Sequence, residues 1–169
     1  MKAVLQLFWR ICLLRQSPEV VPTQNWFVAT VIALNLLGSM IVSSFLDSTT
    51  DSLTTLTRIV VGQATNAGLV WLALQFREHP QRLVATLTAL FGCDLIITAC
   101  FGLLVPLLPL FGESGMNFLS LGFFVWSVAV AGFIMSRALA VPVVAGSVIA
   151  MGMMVFSVAM SQIATQGAA

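Results

Sequence analysis

Runs of about twenty apolar residues alternate with short polar joints along most of the chain. Trp26 to Leu46 is one run, Ile59 to Phe76 a second and Leu83 to Leu104 a third, and from Met116 to Ile163 the only charged residue is Arg137. A bilayer core is about 30 Å thick and is crossed by about 20 apolar residues in a helix. At about 1.5 Å per residue the last block is too long for one crossing. Arg137 suits the end of one helix and Pro142 the first turn of the next. The pattern therefore predicts an all-α polytopic membrane bundle. Five transmembrane helices are expected at about 26–46, 53–76, 83–104, 117–138 and 142–163, in a domain covering 19–169, with a separate helix in 1–18. Asp51 or Ser52 is the expected N-cap of the second span.

The joints "LDSTTDS", "REHPQ", "FGESG" and "RALAVP" hold six of the thirteen charged residues, with Pro80 and Pro142 as helix breakers. All are short, so consecutive helices should be antiparallel neighbours. Pro106 and Pro109 are expected to kink or end the third span.

The first residues follow a different pattern. Lys2, Gln6, Arg10 and Ser17 fall within about one quadrant of a helical wheel, and most of the rest is apolar. That predicts an amphipathic helix. It lies either in the inner membrane interface, with Lys2, Trp9, Arg10 and Arg15 as its anchoring residues, or against the cytoplasmic end of the bundle. Arg10 and Arg15 interrupt the apolar stretch of "MKAVLQLFWRICLLR", and no small-x-small site follows, so no cleaved leader is expected.

Charge sets the direction. With the N-terminus in the cytoplasm, Lys2, Arg10, Arg15, Arg77, Arg82 and Arg137 face inward and only Arg58 faces outward. Lys and Arg bias orients membrane proteins, so a cytoplasmic N-terminus and a C-terminus on the far side are expected; the expected location is a bacterial inner membrane, which makes that side periplasmic.

Composition agrees with this reading: 59% of the 169 residues are hydrophobic and 8% are charged. A soluble domain carries about 25% charged residues. The net charge of +1 and the lack of a basic run give nucleic acid nothing to bind. Cys12, Cys93 and Cys100 form no Cys-x-x-Cys and read as buried small hydrophobes, and His79 is alone in a polar joint, so neither a disulfide framework, a metal site nor a cofactor is expected. There is no phosphate loop and no His-Glu-x-x-His. The span serines lack a histidine, and a single intramembrane aspartate cannot make an aspartyl protease, so no catalytic residue is expected. Five spans also do not divide into a simple inverted repeat.

One layer of polar side chains stands out. Counted from the cytoplasmic end of each span, Asn35, Asn66, Asp94 and Ser127 all lie about 15–18 Å deep, near the midplane. Asn35, Ser39 and Ser43 continue the layer along one helix face, as do Arg58, Gly62 and Asn66, with Gln63 beside them, and Asp94, Thr98 and Gly102. Such faces turn inward, because an unpaired polar group in hydrocarbon costs several kcal/mol. An ionised aspartate at the midplane costs on the order of 2.5–3.5 kcal/mol. Asp94 is thus expected to hold a proton for much of the time and to hydrogen-bond Asn66 or Asn35. It serves either as interhelical glue, worth on the order of 1 kcal/mol, or as a proton or cation stop. Ala64 and Gly68, Ala85 and Ala89, and Gly146 and Ala150 are small-xxx-small pairs that let helices approach. Met151, Met153, Met154 and Met160 read as adaptable packing. Trp26 reads as an interfacial anchor, and Trp71 and Trp126 as packing.

The layout resembles the Yip1 superfamily. A short N-terminal helix leads through "LLRQSPEVVP" into five closely linked spans, and the hairpin "FFVWSVAVAGFIMSRALAVPVVAGSVIAM" is similar to the last two spans of such proteins. The resemblance implies a membrane-organising or partner-binding protein without catalysis, and it assigns no active-site residue. The leading expectation is a non-enzymatic scaffold or accessory subunit that binds the lipid bilayer, other membrane proteins or its own copies. The alternative is a small transporter or channel component using Asp94, and a water-accessible cavity reaching that residue would favour it.

Overall fold

The computed structural model describes residues 2–18, 21–46, 51–106 and 112–166. Six α-helices follow in order: α1 (Lys2–Cys12), α2 (Asn25–Leu46), α3 (Ser52–Phe76), α4 (Leu83–Leu104), α5 (Gly112–Ala138) and α6 (Val143–Gln166). No strand occurs among the described residues. Helices α2 to α6 are each long and apolar enough to cross a membrane. Their outward faces carry large apolar side chains such as Phe45, Phe76, Phe118, Val144 and Val155. In water such a surface would be an aggregation site, and in lipid it is ordinary solvent-facing surface. The chain is an all-α membrane bundle.

Neighbouring contacts give the topology. Asn35 meets Phe91 and Asp94, Gly38 faces Leu95 and Val42 faces Gly102, so α2 and α4 run parallel. Gly62 faces Ser157 and Ser161, while Val70 and Leu74 share a core cluster with Ala150, so α3 and α6 are antiparallel. Gly132 faces Ser147 and Gly146 faces Ser136, which makes α5 and α6 an antiparallel hairpin. Arg82 Nη1 donates to the Arg137 carbonyl at 3.1 Å and ties the start of α4 to the end of α5.

Helix ends follow local chemistry that the residue types only partly announce. Leu14, Glu78 and Ala140 adopt φ of 60°, 57° and 53°. After each, a backbone N–H reaches back: Arg15 to Arg10, His79 to Leu74 and Val141 to Ser136, at 2.9–3.0 Å. This is the Schellman closure of a helix C-terminus, which usually employs glycine. Asp51 occupies the N-cap position of α3, as expected, but makes no side-chain cap hydrogen bond. The third span matches its expected limits, and Pro106 lies in the short turn just beyond it. The fourth begins at Gly112 rather than 117. Gly112 takes φ +65° and the helix continues through the stretch expected to be a joint. Asp47, expected in a joint, and Pro109, expected to kink or end the third span, lie outside the described residues.

Helix α1 packs deeper than an interface helix. Phe8, Ile11 and Cys12 are buried, while Gln6, Arg10 and Arg15 are exposed and Trp9 is half-exposed. The Phe8 ring covers Gly92, Cys93 Sγ lies 3.9 Å from the Phe8 carbonyl, and Cys12 Sγ lies 3.8 Å from the Cys93 carbonyl. Gly92 and Cys93 are nine and ten residues into α4, about 15 Å from its start. Trp126 Nε1 donates to the Cys12 carbonyl at 3.0 Å and its ring meets Trp9 edge-on. Trp126 is thus a docking residue as well as packing. The reason is Gly92, whose missing side chain leaves a slot for an aromatic ring.

A side chain in that slot should expel α1. A Cβ at Gly92 overlaps Phe8, and overpacking typically costs about 1–3 kcal/mol. Gly92→Leu is expected to raise hydrogen exchange in residues 2–12 by on the order of tenfold or more, since about 1.4 kcal/mol corresponds to tenfold. Helices α2 to α6 should stay protected, and Phe8→Ala in the same chain should restore docking.

Candidate functional site: a polar cavity reaching Asp94

Asn35 is the hub of the polar layer. It is fully buried on α2. Its Nδ2 donates to the Phe91 carbonyl at 3.1 Å and to Asp94 Oδ2 at 2.9 Å. Both amide hydrogens are then spent, so its Oδ1 must accept, and it does so from Gln63 Nε2 on α3. Gln63 is thereby turned with its amide nitrogen toward Asn35, and its Oε1 is buried without a hydrogen-bond partner. Three helices are joined by one directional chain, Gln63 to Asn35 to Asp94. Of the two partners expected for Asp94, Asn35 makes the bond.

Beside this chain lies a cavity of about 530 Å³. Asp94 is part-exposed and lines it, and among the described residues its second carboxylate oxygen accepts no hydrogen bond. Gln63, Asn66, Ser39 and Ser127 line the same space. Arg58 and Gln162 border it toward the first turns of α3 and the last turns of α6, and both are exposed. At the opposite end the wall is apolar: Leu90, Phe91, Val130 and Ile134, the last three buried. The space is thus polar at mid-bundle and toward one end, and greasy at the other. A second cavity of about 360 Å³ adjoins it through Ser39, Ile97, Ser127 and Met154, and takes in Ser43, Thr98 and Ser120.

The expected layer therefore divides. Asn35, Gln63 and Asp94 are hydrogen-bonded together, Asn66 and Ser127 face the same cavity, and Thr98 faces the adjoining one. Trp9 and Arg10 belong to α1, Arg15 follows its C-terminal closure, and none of the three lines either space. Ser157, Ser161 and Gln162 on α6 were missed. Ser157 and Ser161 are spaced four apart, on one helix face, and that was the available signal. Ser157 Oγ donates to the Gly62 carbonyl at 2.6 Å, made possible by the close approach of α6 to Gly62. Of the small-residue pairs, Gly146 and Ala150 are buried, whereas Ala64 and Gly68 are exposed and Gly68 has open space around it. Trp71, expected in packing, is half-exposed on the outer face.

One carboxylate among amide and hydroxyl oxygens suits a proton, an ammonium group or a hard monovalent cation. It does not suit a transition metal, and no group of three His, Cys, Asp or Glu residues lies together among the described residues. No protein-family model, curated protein or solved structure matches this chain.

Proposed function

We propose that the chain is a small, non-enzymatic transport or channel component, in which a polar vestibule leads a hydrophilic solute or cation to Asp94. What carries this reading is the cavity: its lining continues from exposed Arg58 and Gln162 to the part-exposed carboxyl of Asp94. Interhelical glue alone needs no space beside it, and a buried carboxyl that serves only as glue is normally enclosed. With the N-terminus cytoplasmic in a bacterial inner membrane, the polar end faces the periplasm and the apolar wall of Leu90, Val130 and Ile134 closes the path from the cytoplasm. The chain is then in an outward-facing arrangement, with ions and solutes excluded below Asp94.

The test is accessibility. In a chain whose three native cysteines are replaced, Asn66→Cys and Ser127→Cys should react with a membrane-impermeant thiol reagent added outside and be protected from reagent added inside. Asp94→Asn preserves an oxygen to accept from Asn35, so assembly and thermal stability should be unchanged. Uptake that accompanies the wild-type protein into proteoliposomes should be abolished. Unreactive cysteines on both sides would sink the transport reading.

A second reading, a scaffold that binds other membrane proteins or its own copies, is favoured by one observation. Gly122 and Gly152 lie exposed on α5 and α6 with nothing within 4 Å of where a side chain would begin. Exposed small residues let another helix approach closely. The layout resemblance to the Yip1 superfamily points the same way. Capture of a stoichiometric membrane partner in mild detergent, lost in Gly152→Leu, would support it.

A further inference from the structure

Among the described residues, the two charged residues on the cavity wall have no counterion. Asp94 is bonded by the neutral amide of Asn35 alone, and Arg58 forms no ion pair among the described residues. Gln63 Oε1, buried at the same place, lacks a donor. Asp94 and Gln63 are both held by Asn35 at mid-bundle, whereas Arg58 lies five residues toward the open end of α3, about 7.5 Å along the helix axis. A lone alkali cation would leave Arg58 unpaired and repelled, and a lone anion would do the same to Asp94. From this geometry we propose that the cavity binds a small zwitterion, its ammonium group at Asp94 and its anionic group at Arg58, several bonds apart. This rests on the vestibule reading and specifies its ligand.

The donors and acceptors match. An ammonium group has three N–H donors and no acceptor. Asp94 offers a carboxylate acceptor at the cavity wall, and Ser39 and Ser127 each offer a hydroxyl there. At the open end the Arg58 guanidinium presents a planar fork suited to a carboxylate or a phosphate. Gln162 and Ser161 flank it as further polar contacts. The apolar residues between, Ile59, Ile97 and Met154, suit a short methylene chain. This chemistry occurs in ω-amino acids and short peptides free in solution, and in the phosphoethanolamine headgroup of a lipid.

Titration of the detergent-solubilised full chain with glycine, 4-aminobutyrate, 6-aminohexanoate and glycylglycine tests the first source, with hexylamine and hexanoate as singly charged controls. Binding is expected to strengthen from glycine to the longer zwitterions and to exceed both controls by tenfold or more. Arg58→Gln should remove that advantage and leave hexylamine binding unchanged; Asp94→Asn should leave hexanoate binding unchanged. For the second source, native mass spectrometry should find phosphatidylethanolamine on the wild type and neither variant, and glycerophosphoethanolamine should compete it off. If no zwitterion binds better than its singly charged control and no such lipid is retained, the inference is overturned. Impermeant-reagent labelling of Asn66→Cys separates the cases. A labelled cavity that ignores zwitterions refutes this ligand only, whereas an unlabelled one refutes the vestibule as well.

Discussion

Gly146→Leu is expected to unseat α6 from α5 and to be the most damaging single substitution in the bundle. A side chain beginning at Gly146 would collide with the Gly132 carbonyl and come within 2.8 Å of the Ser136 backbone nitrogen and Cβ. Two of those obstacles are main-chain atoms inside a continuous helix, so neither can rotate away. Overpacking costs typically about 1–3 kcal/mol and occasionally more; a collision with backbone belongs at or above the upper end, on the order of 3 kcal/mol. The damage should spread. Helix α6 also packs on α3 through the cluster of Val70, Leu74, Met135 and Ala150, and it supplies Ser157 and Ser161 to the cavity wall. Unfolding monitored by steric trapping or by heating in detergent reads the loss. Gly152→Leu, a glycine with open space around it, is the matched control and should change stability by no more than about 0.5 kcal/mol. Equal stability of the two variants would mean that α5 and α6 are not packed as described.

Asn35→Leu comes second, and should exceed any substitution of Asp94 in its effect on folding. Leucine is close in size and better suited to lipid, so hydropathy alone predicts a gain. The hydrogen bonds predict a loss. Without the Asn35 amide, Gln63 Nε2 loses its acceptor and Asp94 Oδ2 its donor. The Phe91 carbonyl loses a second donor only, since it belongs to α4. Each orphaned buried group costs about 1–3 kcal/mol, although water in the cavity can recover part of that. Interhelical hydrogen bonds in membranes average only about 0.6 kcal/mol when a single pair is removed. Asn35 joins three helices rather than two, so a loss on the order of 2 kcal/mol is expected, against little change for Asp94→Asn. The same unfolding measurements decide it; a loss under about 0.5 kcal/mol would reduce Asn35 to one member of a layer, as hydropathy and depth alone place it.

The polar layer was legible because lipid penalises isolated polar groups. Asn35, Gln63 and Asp94 were grouped by depth and by helical periodicity, and they meet. What depth cannot supply is rotation about each helix axis. Asn66 and Ser127 sit at the same level as Asp94 and are turned to the cavity rather than into its hydrogen bonds. Thr98, one turn along from Asp94, faces the neighbouring space instead. The α6 serines went unassigned because a hydroxyl four residues from another is common in apolar helices and commonly bonds its own backbone. Ser161 does so, to the Val158 carbonyl at 2.8 Å. Only the closeness of Gly62 turns Ser157 to another helix.

Helix α1 shows the same division. Its amphipathic pattern was plain, and its exposed face carries Gln6 and Arg10. Its depth was not, because the slot it fills is a glycine on another helix, and a helical wheel carries no information about a partner's surface. The C-terminal closures at Leu14, Glu78 and Ala140 were likewise unannounced by glycine.

By itself, then, the sequence determined how many helices are long and apolar enough to cross a membrane, and where they lie, because that depends on the length of apolar runs against a fixed thickness of hydrocarbon. It also placed one carboxyl near the middle of an apolar helix. Tertiary structure alone decided which polar groups bond and which are left facing open space. That depends on helix rotation, on close approach at Gly62, Gly92, Gly132 and Gly146, and on a cavity formed jointly by α2 to α6. Those are properties of several surfaces together, and no single run of residues encodes them.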